Sequence, residues 1–231
     1  VVLLEAGRIG WGASGRNGGQ LIPGWRKGAT ELVKLYGAER ARLLFDLSLR
    51  ARDMVLQRAA AHDIRCDLAL NGHLSAAAKP GDLAWMREEV ETLARVMNYP
   101  HARVLGAEEA RAKLASPVAY GALLDGYGGH FHPLNYALGL AEAARRSGVS
   151  LHEHSRALTI ETEGGVRVRT ASGTVRAKYG VLACDSMLEG LEPRIAGRIM
   201  PVANYLVATA PLDNPTALIA DNLAVSDTRF V

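Results

Sequence analysis

The stretch Gly10-Trp11-Gly12-Ala13-Ser14-Gly15-Arg16-Asn17-Gly18-Gly19-Gln20 closely follows the apolar run Val1-Val2-Leu3-Leu4 and the acid Glu5. Five glycines in eleven residues cannot fill a hydrophobic core, and glycine tolerates the positive φ of sharp turns. The polar side chains among them carry donors suited to a phosphate or to the polar edge of a heterocycle: Ser14, Arg16, Asn17 and Gln20. The stretch therefore predicts a cradle for a nucleotide cofactor.

The apolar run at residues 1–4 is typical of a strand that is buried on both faces of a parallel sheet. Glu5 then lies at the carboxyl end of that strand, where α/β folds bind their ligands. A carboxylate at this place can accept hydrogen bonds from the ribose hydroxyls of an adenine dinucleotide, or it can cap a turn. The residues by themselves leave both interpretations open.

The segment Gly10–Gly15 matches the pattern G-x-G-x-x-G, but its position argues against a dinucleotide fingerprint. In that fingerprint the glycines follow the first strand directly, and the acid comes about 20 residues later. Here the acid, Glu5, precedes the glycines. We therefore interpret residues 1–5 as the second strand of a Rossmann unit whose fingerprint lies upstream. Because the chain begins within a strand and Phe230-Val231 resembles the start of another, we expect a fragment of a longer protein.

Hydrophobic periodicity predicts the remaining elements. Apolar residues at three- and four-residue steps predict helices at residues 29–61 with a break at Gly37, and at residues 82–97, 107–114 and 133–146. Alternating segments predict an antiparallel meander within residues 157–178, and Asn71-Gly72 is a hairpin signal. Apolar runs predict further strands at residues 149–151, 179–184 and 198–210. Residues 66–128 lack βαβ alternation, which indicates a second, substrate-side domain inserted into the nucleotide domain.

Composition indicates a soluble globular protein and does not favour a nucleic-acid or membrane protein. Apolar residues make up 48% of the 231 residues, which is ample for a core. The 27 basic side chains are nearly balanced by 24 acidic ones, and aromatic residues make up 6%, so nothing favours nucleic-acid binding. No apolar run is long enough for a membrane span. The two cysteines form no CxxC motif, which fits a reducing compartment, and we expect a cytoplasmic protein.

Four histidines stand in pairs at a spacing that places both members on one face of a strand: His130 with His132, and His152 with His154. Such pairs can bind a metal ion, but no cysteine ligand and no HExxH motif accompany them. The alternative is that Pro133 opens a helix and that the histidines before it are polar loop residues. We favour this alternative and expect no metal site.

Three segments resemble the FAD-dependent D-amino acid oxidase superfamily, most closely its gamma-glutamylputrescine oxidase branch. They are VVLLEAGRIGWGASGRNGGQ, YGALLDGYGGHFHPLNYALGLAEAARRSG and AKYGVLACDS, and the similarity continues in register over essentially the whole chain. The resemblance implies an α/β (mixed α+β) fold, in which a Rossmann-like FAD-binding domain is interleaved with an antiparallel-sheet substrate domain, truncated at both ends. The FAD-binding domain would comprise residues 1–65 and 129–190, and the substrate domain residues 66–128 and 191–231.

The same resemblance assigns the cofactor-binding residues. Glu5 would bind the adenosine ribose, and Ala157 would lie where backbone groups hold the adenine. Ala183 and Cys184 would lie where a strand end passes the cofactor, although Cys184 replaces a position often held by glycine. The pyrophosphate and ribityl chain would lie along Ala13, Ser14 and Gly15, and the flavin ring would lie beside Arg16, Asn17, Gly18, Gly19 and Gln20.

The activity implied by the resemblance is amine oxidation, in which a small primary amine becomes an aldehyde with release of ammonia and hydrogen peroxide. Oxygen or another acceptor would take the electrons. Candidate residues of the substrate pocket are Tyr127, His130 and His132, and Arg16 would stabilise negative charge on the reduced flavin or bind a substrate carboxylate. Because the family's first-strand fingerprint and C-terminal segments have no counterpart here, we expect that these residues alone do not hold FAD.

Three alternatives remain open from the sequence. One is another flavoenzyme of the same type, which acts on glycine, sarcosine or a D-amino acid. Another is a non-catalytic remnant or binding module, since half of the cofactor site is absent. The third is a nicotinamide-dependent dehydrogenase built on the G-x-G-x-x-G match.

Overall fold

The computed structural model describes residues 1–117 and 119–229. The helices are α1 (Ala29–Ala61), α2 (Asp82–Arg95), α3 (Ala107–Lys113), α4 (Pro133–Arg146) and α5 (Pro193–Ala196). The strands are β1 (Val2–Leu4), β2 (Gln20–Leu21), β3 (His73–Ala76), β4 (Ala102–Leu105), β5 (Ala122–Asp125), β6 (Gly129–His130), β7 (Ser150–His152), β8 (Thr159–Glu161), β9 (Val166–Arg169), β10 (Thr174–Ala177) and β11 (Ala224–Asp227). The fold is a mixture of helices and strands, and the predicted strand start at Phe230-Val231 lies outside the described residues.

The chain forms two compact units. One comprises Val1–Asn17 and Ala137–Val207, and the other comprises Gly18–Tyr136 and Ala208–Val231. We call them the first unit and the second unit. The limits of these units differ from the predicted domain limits. The assignment of one domain to FAD and the other to the substrate stays a prediction.

The second unit is built on a four-stranded sheet in the order β11-β3-β5-β4. The pairs β3–β5 and β4–β5 are antiparallel, as expected for a substrate domain without βαβ alternation, whereas β11 joins β3 in parallel. Helix α2 packs against β4 and β5, and α1 packs against α2. The fully buried side chains of Leu74, Met86, Met97 and Leu105 occupy the interior of this unit.

Helix α1 confirms the predicted break. Gly37 has a φ of +76° inside the helix, so two helical segments meet there. The first turn of α1 is capped by a side chain from another helix, because the Glu89 carboxylate of α2 accepts hydrogen bonds from the backbone N–H groups of Ala29 and Thr30. A carboxylate at a helix N-terminus satisfies otherwise unpaired donors and complements the helix dipole. This contact joins α1 to α2.

The first unit contains two small sheets. Strand β1 pairs in parallel with β7, and β8, β9 and β10 form the predicted antiparallel meander. The prediction that residues 1–4 are buried on both faces is wrong, since Val2 and Leu3 are 44% and 41% exposed. Within the described chain, β7 is the strand that pairs with β1, so no second neighbour covers it. Helix α4 ends as predicted, with Gly148 at a φ of +85°.

Three other predictions of strand structure are wrong. Residues 179–184 and 198–210 form no strand, and Tyr179, Val181 and Tyr205 are 78%, 89% and 88% exposed. Apolar runs become strands only where another strand supplies hydrogen bonds, and these two runs have no such partner in the described chain. Asn71-Gly72 forms no hairpin either, because the following strand β3 pairs with the distant strands β5 and β11. Across the described ranges, no helix is both long and apolar enough to cross a membrane.

Candidate functional site

Glu5 lies at the carboxyl end of β1, as predicted, and its backbone is held on both sides. Its N–H donates to the His152 carbonyl at 2.9 Å, and its carbonyl accepts from the Ser155 N–H at 2.8 Å. One carboxylate oxygen, Oε1, accepts from the Gly7 N–H at 2.7 Å. The other, Oε2, has no partner among the residues described. Glu5 therefore both caps a turn and offers a fixed acceptor to a ligand hydroxyl, so the two interpretations are compatible.

The loop that contains Ala157 lies beside this strand end in the first unit. The His154 N–H donates to the Gly7 carbonyl at 2.8 Å, and the Ile9 N–H donates to Glu153 Oε1 at 2.7 Å. Ala157 is half-buried in the irregular segment that leads from these residues to β8. The structure thus brings the ribose candidate Glu5 near the segment of the adenine candidate.

The glycine-rich loop makes a short 3-10 turn at Ala13–Gly15. The side-chain amide of Asn17 donates to the Ala13 and Ser14 carbonyls at 2.9 and 3.2 Å and so closes the end of this turn. Ser14 is exposed, and a Cβ built at Gly12 would meet nothing within 4 Å. The outer side of the turn is therefore open, as a cradle for a cofactor chain requires.

Arg16 lies over Trp11, with the guanidinium carbon 4.8 Å from the centroid of the indole ring. Trp11 is 51% exposed, and no acidic side chain pairs with Arg16 in the portion of the chain that is described. Trp11 is not among the site residues predicted from the sequence. A large aromatic residue among glycines was the available signal, since such a side chain has no core to enter.

The residues that follow, Gly18, Gly19 and Gln20, belong to the second unit. Gly19 is buried at a φ of +62°, and a Cβ on it would lie 1.9 Å from the carbonyl oxygen of Phe131. Only glycine permits this approach of two backbones. Gly18 is exposed. The close approach places Gln20 opposite His130 in the β2–β6 pair.

Gln20 contacts β11, and His130 contacts the segment that leads into it. Gln20 Nε2 donates to the Val225 carbonyl at 3.0 Å, and His130 Nε2 lies 3.0 Å from the Asn222 carbonyl oxygen. Because a carbonyl oxygen only accepts, Nε2 of His130 carries the proton. Its other ring nitrogen, Nδ1, has no partner in the described parts of the chain. Two predicted site residues are thus brought together on one face of a two-stranded ribbon.

His132 lies outside this ribbon and acts at the start of α4. Its Nδ1 accepts from the Asn135 N–H at 3.3 Å, and its carbonyl accepts from the Tyr136 N–H at 3.0 Å. These contacts support the alternative in which Pro133 opens a helix and His132 is the polar residue before it. In residues 1–117 and 119–229, no group of three or more histidine, cysteine or acidic side chains is placed to hold a metal ion.

Tyr127 is held by a buried arginine of α1. Arg52 is 6% exposed, its guanidinium carbon lies 3.6 Å from the centroid of the Tyr127 ring, and its Nε donates to the Tyr127 carbonyl at 2.9 Å. The imidazole of His101 stacks on the same ring at 4.9 Å. With these partners on its ring, Tyr127 is an anchor of the segment before His130. No local signal in the sequence distinguishes Arg52 from the other arginines of α1.

Ala183 and Cys184 lie in the irregular segment at residues 179–184 of the first unit. Ala183 is exposed, and Cys184 is half-buried. The Cys184 carbonyl accepts from the Met187 N–H at 2.9 Å and begins the 3-10 turn Asp185–Leu188. The predicted strand end is therefore a turn in this structure.

A buried histidine in the second unit makes stability depend on pH. His73 Nε2 lies 3.0 Å from Ser226 Oγ on the adjacent strand β11. Burial lowers the pKa of His73 below its ordinary value, and the nearby Asp125 carboxylate opposes this effect. A lowered pKa means that the folded state disfavours the protonated ring. The contribution of His73 to the free energy of unfolding is therefore complete above the unfolded pKa of about 6.5, and it is lost as the pH falls through the lower pKa of the folded state.

We therefore expect the free energy of unfolding to fall as the pH is lowered from 7.5 to 5.5, and His73→Gln to reduce this fall. Urea denaturation at both pH values measures the difference. The exposed His152 serves as the control, and His152→Gln is expected to leave the pH dependence as it is in the parent protein. An equal pH dependence in the parent and in His73→Gln would show that other groups cause it.

Comparison with known proteins identifies the family of the chain. Residues 1–230 match the model of the DAO family, described as FAD-dependent oxidoreductases. The chain belongs to this family, whose cofactor is FAD.

Individual relatives are similar over the full length of the chain. A gamma-glutamylputrescine oxidoreductase of Escherichia coli K12 is 38% identical over 234 residues, which are all of this chain and 54% of that protein. A probable oxidoreductase OrdL of Rhizobium meliloti is 36% identical over 232 residues, again all of this chain and 54% of that protein. The chain thus spans about half the length of the curated relatives it matches. Among solved structures, glycine oxidase from Geobacillus kaustophilus superposes with a TM-score of 0.66 at 21% identity, over 84% of this chain and 51% of that one.

Proposed function

We propose that the protein oxidises the CH–NH2 group of a small amine, gamma-glutamylputrescine, to an aldehyde, with release of ammonia and hydrogen peroxide. The observation that carries the proposal is the 38% identity to a gamma-glutamylputrescine oxidoreductase along the entire chain. Membership of a family of FAD-dependent oxidoreductases supports the redox class. The free cysteines Cys66 and Cys184 support a cytoplasmic location.

The described residues fit the adenosine and phosphate parts of FAD. Glu5 offers a fixed carboxylate oxygen for the ribose, and the open 3-10 turn at residues 13–15 offers backbone groups for the pyrophosphate. In the domain assignment that we propose, residues 1–65 and 129–190 bind FAD, and residues 66–128 and 191–231 bind the substrate. The other proposed cofactor contacts come from the loop and from the later segments: Arg16, Asn17, Gly18, Gly19, Gln20, Ala157, Ala183 and Cys184.

In this reaction the amine carbon loses a hydride and the nitrogen loses a proton, so that an imine forms, and water hydrolyses the imine to the aldehyde and ammonia. Bound FAD would supply the acceptor for the hydride, and oxygen would receive the two electrons and two protons that make hydrogen peroxide. A neutral amine is needed, and a pocket that excludes water lowers the pKa of an ammonium group. His130 is the proposed proton acceptor, because its Nε2 is occupied by Asn222 and its Nδ1 lone pair remains for the substrate.

The test is the visible absorbance spectrum of the purified protein, expressed from its complete reading frame. We expect a yellow protein that bleaches when gamma-glutamylputrescine is added without oxygen, and that recovers its colour in air with release of hydrogen peroxide. Sarcosine, glycine and D-alanine are the matched control substrates and are expected to bleach it much more slowly. Equal bleaching by a control substrate would overturn the proposed substrate, and a protein that cannot be reconstituted with FAD would overturn the enzyme assignment.

Glu5→Gln supplies a matched variant for the cofactor site. It keeps the hydrogen bond from Gly7 to a side-chain oxygen but removes the charged acceptor for the ribose. We expect weaker retention of FAD on gel filtration and an unchanged far-ultraviolet circular dichroism spectrum.

A further inference from the structure

The pair formed by Trp11 and Arg16 is held by the loop that carries it. The Trp11 N–H donates to the Arg8 carbonyl at 3.0 Å, and the Arg16 N–H donates to the Ala13 carbonyl at 3.2 Å. Gly7 lies beside the indole, since a Cβ on Gly7 would lie 3.6 Å from Cγ of Trp11, and the Gly7 N–H is itself fixed by Glu5 Oε1. The backbone that carries the indole and the guanidinium is therefore fixed by hydrogen bonds within the first seventeen residues.

The contact with Trp11 leaves the N–H donors of Arg16 available to another group. A cation–π contact uses the positive charge of a guanidinium and does not require any of its five N–H donors. No carboxylate pairs with Arg16 within residues 1–117 and 119–229, and Trp11 is half exposed. This planar fork matches the geometry of a phosphate or a carboxylate. The pair thus presents a pre-positioned donor for an oxyanion.

We propose that Trp11 is a positioning residue that holds Arg16 as the oxyanion receptor of this loop, an inference that rests on the proposed function of the loop as part of a cofactor and substrate site. The oxyanion is either a phosphate of the cofactor or a carboxylate of the substrate. Both groups accept charged hydrogen bonds from the guanidinium through their oxygen atoms, and titration with one anion of each kind distinguishes the two sources. Without the indole, the arginine side chain would sample many rotamers and would lose conformational entropy when it binds.

Trp25 is the natural comparison. It is 52% exposed, which is close to the exposure of Trp11, but its Nε1 donates to the Leu44 carbonyl at 2.7 Å, and no cation stacks on it among the described residues. A change at Trp25 therefore removes an exposed indole without touching Arg16. Residues 1–231 contain three tryptophans, so a variant of these residues with Trp25→Phe and Trp85→Phe retains Trp11 as its single tryptophan.

The experiment titrates this single-tryptophan protein with inorganic pyrophosphate and, separately, with glutarate. We expect a saturable change in Trp11 emission with one of them, and Arg16→Gln should weaken that binding at least about tenfold because it removes charged hydrogen bonds. A response to pyrophosphate identifies a cofactor phosphate as the partner, and a response to glutarate identifies a substrate carboxylate. Emission that responds to neither anion overturns the proposal.

Isothermal titration calorimetry tests the role of Trp11. The anion that changed the emission, pyrophosphate or glutarate, is titrated into Trp11 variants that keep Trp25 and Trp85. We expect Trp11→Leu to weaken binding about threefold, which is the scale of an exposed cation–π contact, and Trp11→Phe to weaken it less. Trp25→Phe is the control and should bind as the parent protein does. Unchanged binding in Trp11→Leu overturns the positioning role. Because neither probe requires electron transfer, a protein that fails to bleach with amine but shows these responses contradicts the proposed function and not this inference.

Discussion

Replacing Gly19 with alanine is expected to lower the free energy of unfolding by about 3 kcal/mol or more, because overpacking and backbone strain act at one position. Gly19 has a φ of +62°, and the added Cβ would lie 1.9 Å from the Phe131 carbonyl oxygen. That atom belongs to the backbone, so it cannot move aside as the end of a flexible side chain would. Urea denaturation, followed by circular dichroism, measures the change.

Gly37 and Gly18 serve as controls that separate backbone strain from the steric clash of the added Cβ. Gly37 also has a positive φ, of +76°, but a Cβ there would meet nothing within 4 Å, so Gly37→Ala tests strain without a clash. At Gly18 the nearest atom to a Cβ is 3.9 Å away, and Gly18→Ala is expected to be nearly neutral. We expect the loss of stability to decrease in the order Gly19, Gly37, Gly18. If Gly19→Ala costs no more than Gly37→Ala, the close approach of residues 19 and 131 is not present in solution.

Replacing Arg52 with alanine is expected to cost about 2 to 4 kcal/mol of stability, the range for removing one partner of a largely buried charged contact. The change removes the donor to the Tyr127 carbonyl and the cation that lies 3.6 Å from the Tyr127 ring centroid. The ion-pair partner, Asp53, is 44% exposed in its side chain, so water can solvate the charge that is left. This exposure keeps the expected cost below that of a fully buried pair.

Arg50→Ala is the matched control, because Arg50 lies on the same helix and is exposed. Its effect is expected to stay within about 0.5 kcal/mol. Arg52→Lys keeps the charge but not the planar fork, and its stability should lie between those of the parent and Arg52→Ala. Thermal and urea unfolding of the three variants provide the comparison. Equal stability of Arg52→Ala and Arg50→Ala would mean that Tyr127 is held by other contacts.

Local sequence patterns were sufficient to predict most helices and the antiparallel meander. The apolar spacing in residues 29–61 predicted α1, and Gly37 marked its break, since both signals act through neighbouring residues. The meander β8–β9–β10 was also predictable, because Gly164-Gly165 and Gly173 lie at its turns. Strand predictions were wrong at residues 179–184 and 198–210, where apolar composition is present but the described residues include no strand that pairs with them.

The candidate site was only partly predictable for the same reason. The spacing of His130 and His132 allowed one shared strand face, and the favoured interpretation placed both in a loop before a helix. In the structure His130 lies in a strand, and His132 is the residue before α4. The buried role of Arg52 depends on Tyr127, which is 75 residues away in sequence. No local pattern contains such information.

By itself, the sequence determined the nucleotide-type glycine loop after a strand, the resemblance to flavin-dependent oxidases and the order of the local elements, because these depend on residues close together in the chain. Only the tertiary structure decided what each polar side chain binds. Gln20 reaches a carbonyl 205 residues away, and His130 reaches one 92 residues away. Such contacts form because packing and strand pairing bring distant backbone groups together, where their hydrogen bonds must be satisfied.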